Sequence, residues 1–165
     1  MNTGQTMITL LAMMMLTLLS VRINSSILQT QISMQNSKFG LASISLATSV
    51  IENANKLSFD EVTLENAIVN TSPLTAINTL GKDAGENTPS QFDDFDDYNN
   101  YQYDERSLAT AYYHISCKVT YLNPLTPNVD SNSPTFHKKL TVSVSSVSMT
   151  DTVKISTAFS YWYFR

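Results

Sequence analysis

The side chains with the most chemical potential lie in the run Phe92-Asp93-Asp94-Phe95-Asp96-Asp97-Tyr98, where Asp93, Asp94, Asp96 and Asp97 could offer oxygen ligands to a hard divalent cation such as calcium. The spacing lacks the glycine and the terminal glutamate of an EF-hand loop, so the expected reading is a solvated acidic turn anchored by Phe92, Phe95 and Tyr98, with no metal and no cofactor. Two histidines, His114 and His137, could approach one another if their strands pair. On a polar sheet face they are expected to be surface residues, and the sequence assigns neither a carboxylate partner. The single cysteine, Cys117, excludes an internal disulfide and a four-cysteine zinc site, and its alternation with apolar neighbours reads as an inert core thiol. The glycines at 4, 40, 81 and 85 form no phosphate-cradling pattern. With no nucleophile–base–orienter set in view, an enzyme ranks last among the function classes, and the expectation is that this chain is not one. A net charge of −4 argues against a nucleic-acid partner.

The elements that must position these groups begin with an apolar segment. Met7 to Val21 reads MITLLAMMMLTLLSV, and the first charged side chain is Arg22. Together with the uncharged residues ahead of it, the segment approaches the roughly 20 residues that cross a bilayer as a helix. A secretory signal would want a basic region before the apolar core and a small-x-small site after it; here Val21-Arg22-Ile23-Asn24 follows. Beyond Arg22, apolar residues recur mostly every three to five positions at Ile23, Ile27, Ile32, Phe39, Ile44, Ala47, Val50, Ile51, Ala54 and Leu57. The helix is expected to continue from near residue 5 to near residue 57, its distal half carrying an apolar face, with Gly40 its one weak point.

The chain divides into five segments. Residues 1–4 are a possible short leader, 5–25 a hydrophobic helix, 26–57 its amphipathic continuation, and 58–107 a connecting region that carries the acidic-aromatic loop. Ser58-Phe59-Asp60-Glu61 at its start fits a capping box for a short second helix. From 108 to 165 the chain reads as antiparallel strands. In the first, Tyr113, Ile115, Cys117, Val119 and Tyr121 share one face; in the second, Leu140, Val142 and Val144 do; a third runs from about Thr152 to Phe164. The fold class is therefore α+β, a long N-terminal helix whose distal half packs on a C-terminal antiparallel sheet. Tyr98–Tyr103 and the terminal aromatic cluster are expected to serve core and interface packing.

A glycine followed by a polar residue and a long uncharged apolar helix, then an amphipathic half and a C-terminal sheet, resembles a type IV pilin or pseudopilin. The run Phe92–Asn99, placed between helix and sheet, is similar to a loop of minor pilin-like proteins. The resemblance implies processing between Gly4 and Gln5 by a prepilin peptidase. It also implies an assembly helix that includes Met7, Ile8, Thr9, Leu10, Leu11, Met14, Met15, Leu18 and Leu19. The function implied is a structural subunit that polymerises with copies of itself into a helical filament, stored in the inner membrane before assembly and then extracellular at the cell surface. Pilus or secretion machinery would be its further partner. The chain departs from the family pattern in its short, non-basic leader and in Thr9, which stands where the family carries a glutamate that pairs with a neighbour's N-terminal amine. The positive-inside rule would put Arg22 on the cytoplasmic side, whereas the resemblance requires the sheet outside; the outward orientation is the expectation kept here. Two other readings stand beside the first: a minor pseudopilin of a secretion or pilus machine, and a membrane-anchored surface binding domain that never polymerises.

Overall fold

A computed structural model describes residues 3–161. Helix α1 spans Thr3–Ala54, 52 residues without a proline to break it. Chain contacts divide the protein into two compact units, Met1–Lys38 and Phe39–Arg165.

Among its described residues the first unit is helix alone, and its apolar side chains lie open: Met7 is 72% exposed, Leu16 69% and Ile27 51%. In the second unit, the remaining turns of α1 lie against a four-stranded antiparallel sheet. The strands are β1 (Gln102–Glu105), β2 (Tyr113–Tyr121), β3 (His137–Ser145) and β4 (Val153–Ser160), in the order β1-β2-β3-β4. Cys117 faces Val142 and Val142 faces Ile155 across the ladder, so the period-two pattern places one side of each strand in register. Tyr113, Ile115, Cys117, Val119 and Tyr121 are buried, with Leu140, Val142 and Val144 beside them, as their alternation requires. Ser43, Ala47, Val50 and Ala54, spaced four, three and four residues apart, form the buried helix stripe that meets this face. The Ser43 hydroxyl donates to the Phe39 carbonyl at 2.9 Å and to Met149 Sδ, in the β3–β4 turn, at 3.1 Å.

Several boundaries differ from expectation. The helix face that covers the sheet starts at Phe39, because Ile23, Ile27 and Ile32 are exposed within the first unit. Ile44 is exposed too; Ser43, one helical position earlier, completes the stripe. No capping box forms at Ser58–Glu61. The following helix, α2 (Val62–Glu65), has Glu61 at its N-cap in helical conformation without a side-chain bond. Thr63 Oγ1 instead accepts from the Asp60 amide at 3.0 Å, and the Asp60 carboxylate turns into the core. The sequence pattern also misses β1, whose polar residues carry no alternation of apolar type. The last strand ends at Ser160, and the Trp162–Phe164 part of its expected span lies outside the described residues.

Candidate assembly helix and buried charge cluster

Met7, Ile8, Thr9, Leu10, Leu11, Met14, Met15, Leu18 and Leu19 are all exposed on α1. Each large apolar side chain left in water forgoes roughly 1.5–3 kcal/mol of burial free energy, so a free aqueous state of this segment is strongly disfavoured. By length and composition the helix is long and apolar enough to cross a membrane, and none of that window is buried against the rest of the chain. Three of its hydroxyls bond within the helix: Thr6, Thr9 and Thr17 donate to the carbonyls of Thr3, Thr6 and Met14 at 2.8–2.9 Å. That suits an apolar medium, where an unpaired polar group carries a large penalty. Gly4 and Gln5 sit exposed near the beginning of the same helix.

The acidic run is not a solvated turn. Asp94, Asp96 and Asp97 are buried along with Phe92, Phe95 and Tyr98, and Asp93 is the exposed acid of the run. The run curls around its own amides. Asp94 Oδ1 accepts from the amides of Asp96 and Asp97 at 2.8 and 3.2 Å, and Asp97 Oδ2 accepts from those of Asp93 and Asp94, both at 3.1 Å. Backbone bonds from Ser58 to Asp93 and from Phe95 to Ser58 tie it to the end of α1. The Phe95 ring stacks on Phe159 at 4.8 Å, while Phe92 meets Tyr98 edge-on at 5.1 Å. This folding aims the Asp96 carboxylate inward.

There it meets Lys138, which is wholly buried. The Lys138 ammonium donates to the Phe59 carbonyl at 2.6 Å, to Asp60 Oδ2 at 2.8 Å and, closest of all, to Asp96 Oδ1. Its nitrogen lies 4.7 Å from the Phe59 ring centre and 5.5 Å from that of Tyr121. Asp60 is held in turn by the Thr75 amide at 3.1 Å, the Thr75 hydroxyl at 3.1 Å and the Tyr121 hydroxyl at 3.3 Å. The sequence carried a signal for this site that alternation alone could have raised. Lys138 shares parity with Leu140, Val142 and Val144, and so points inward.

One ammonium faces several carboxyl groups here. Burial raises the Asp96 carboxyl, with Lys138 pulling it back down. Burial, followed by the Asp96 charge, pushes Asp94 up to about 8, and burial lifts Asp97 to about 7 against the pull of its backbone donors. An acid whose folded-state pKa is raised binds more protons folded than unfolded between the two values, so stability falls as pH rises through that window. A fragment starting at Arg22 is therefore expected to melt at a lower temperature at about pH 8 than at about pH 5. Thermal unfolding followed by circular dichroism checks it, and Asp94→Asn should flatten the slope.

Glu86, Asp93 and Asp97 bring one carboxylate oxygen each within 4.8 Å of one another at the rim of the run, a spacing that could admit a cation. The histidines do not meet. His114 faces Ser145, while Tyr121 faces Lys138 at the other end of the same ladder, so antiparallel pairing keeps His114 and His137 apart. His114 Nδ1 lies 2.9 Å from Asp104 Oδ1 on β1, the carboxylate partner that the sequence did not disclose; His137 Nδ1 lies 2.7 Å from Ser160 Oγ. The His114 bond, then the Arg106 bond, lowers the Asp104 carboxyl. Cys117 is buried and its thiol is pushed up to about 12 by burial, which leaves it unreactive. Tyr98, Tyr101 and Tyr103 follow one another with ring centres 6.1 and 5.6 Å apart, packing the β1 edge.

Comparison of the chain with protein-family models, with curated proteins and with solved structures finds no match in any of the three.

Proposed function

We propose that this chain is a structural subunit of a pilin-like extracellular filament. The observation that carries the reading is the uncharged segment Met7–Val21, helical throughout, with its large apolar side chains exposed. Such a surface needs either lipid or neighbouring helices around it. The helix is held in the inner membrane before assembly and exchanges lipid for the same helix of other copies, through a contact that does not close and so extends into a filament. The sheet units then coat the outside at the cell surface. Exposed Ile23, Ile27, Leu28, Ile32 and Met34 continue the contact surface past Arg22. Gly4–Gln5 is the place for prepilin-peptidase processing, and pilus or secretion machinery is the partner that extracts the helix. The chain's role in this reading is not enzymatic.

Thr9 favours a second reading as a minor, pseudopilin-like component. Its hydroxyl is bound within its own helix and offers no carboxylate to a neighbour's amine. In either role the helices of adjacent copies must touch.

Because Cys117 is buried and unreactive, a single cysteine introduced on the helix reports this contact alone. Cells expressing Met14→Cys are expected to give a disulfide-linked dimer as the major form of the chain after mild oxidation, read on a non-reducing gel. If cysteines placed in turn at Met13, Met14, Met15 and Leu16, which together cover a full helical turn, give no dimer, the chain is an anchored domain that does not polymerise.

A further inference from the structure

We propose that Lys138 and Asp96 become joined by an isopeptide bond between Nζ and Cγ, formed by the protein itself with Asp60 as the proton carrier. This rests on the core of the sheet unit and is independent of the filament reading. Nucleophile, electrophile and proton carrier are in mutual reach of one nitrogen: Asp96 Oδ1 is its nearest neighbour and Asp60 Oδ2 lies at 2.8 Å. Side chains of Lys138 and Asp60 are 0% exposed and that of Asp96 3%. The Phe59 and Tyr121 rings flank the nitrogen and exclude water.

The step balances without any co-reactant. The Lys138 ammonium passes one proton to the Asp96 carboxylate, giving a neutral amine beside a neutral acid. The amine attacks Cγ, forming the C–N bond. Asp60 takes a second proton from the nitrogen and returns it to the departing hydroxyl, the C–O bond breaks and one water leaves. Asp60 ends as it began. The product nitrogen keeps one proton, and the Phe59 carbonyl, 2.6 Å away, remains to accept it.

Two features favour condensation here over the hydrolysis that bulk water promotes. The ion pair consumed is one whose burial is unfavourable, so converting it to a neutral amide removes a desolvation penalty. Fixed contact also replaces a bimolecular encounter, the effect that gives well-oriented intramolecular reactions very high effective concentrations. Burial raises the Asp96 carboxyl, which favours its neutral, electrophilic form. Asp60 is the poorer electrophile, since Thr75 and Tyr121 already bind its oxygens as acceptors.

The test is the mass of the purified full chain, denatured, beside Lys138→Met and Asp60→Asn. The wild-type chain is expected to be lighter than its linear sequence by one water, while both variants match their linear masses. Trypsin should yield a branched peptide joining 83–106 to 119–139, with cleavage blocked after Lys138. A wild-type chain without the branch overturns the proposal, and that result needs no variant to fold. A branch to the 57–82 peptide instead overturns the assignment of Asp96, and a bond that survives Asp60→Asn overturns the role of Asp60.

Discussion

Lys138→Met is expected to destabilise the sheet unit by about 3–5 kcal/mol, the range seen when one partner of a buried charge cluster is removed. The methionine fills a similar volume and suits the aromatic walls, so little packing is lost. The effect comes from what remains: Asp60 and Asp96 keep their buried positions without the Lys138 nitrogen that compensates them, whether as ammonium or as amide. Against a typical total of about 5–15 kcal/mol, that loss brings the domain to the edge of unfolding. Adding Asp96→Asn to Lys138→Met removes one stranded charge and should recover part of the loss, a non-additivity that marks a shared network. Chemical denaturation of a fragment starting at Arg22 gives these values. A Lys138→Met fragment within about 0.5 kcal/mol of wild type, the scatter of ordinary surface changes, would show that the cluster does not hold the fold.

Leu16→Asp is expected to abolish assembly while leaving the sheet unit unchanged. A carboxylate near the middle of an apolar span costs roughly 2.5–3.5 kcal/mol on insertion scales, and a polymer repeats that penalty in every subunit. Residue 16 belongs to the unit Met1–Lys38, whereas the sheet and the helix stripe from Phe39 form the other. Removal of the chain before Arg22 should accordingly give a soluble, monomeric protein with the sheet intact, since Ser43, Ala47, Val50 and Ala54 still cover it. Size-exclusion chromatography with circular dichroism reads both properties. A truncated chain that unfolds, or that still polymerises, would refute the separation of assembly from folding.

The fold was legible where one physical signal dominated. The absence of proline, an uncharged apolar start and the apolar period beyond Arg22 wrote the helix, and strict alternation wrote β2 and β3, down to which residues of β2 face inward. Strand β1 was hidden because Gln102, Tyr103, Asp104 and Glu105 pair through backbone groups, and their side chains show no apolar pattern. The charge cluster was hidden for a different reason. An aspartate-rich run reads as water-loving, and its burial depends on a lysine some forty positions later and on Asp60, whose local context suggested a cap. Parity within β3 puts Lys138 on the inward face only once the strand is extended back to His137, and only the tertiary fold brings its two carboxylates to it. The helix stripe falls between these cases: its period is visible in Ala47, Val50 and Ala54, but its first member is the polar Ser43 and not the apolar Ile44 beside it.

Assembly through the helix is tested most directly by shearing cells that express the chain and labelling the released material with an antibody against the sheet unit. Electron microscopy of that fraction should show filaments decorated along their length, and mass spectrometry should find the chain among their main constituents. Leu16→Asp should empty the fraction of both. Recovery of the wild-type chain only in the inner-membrane pellet, with no labelled filament, would contradict a polymer built on Met7–Val21.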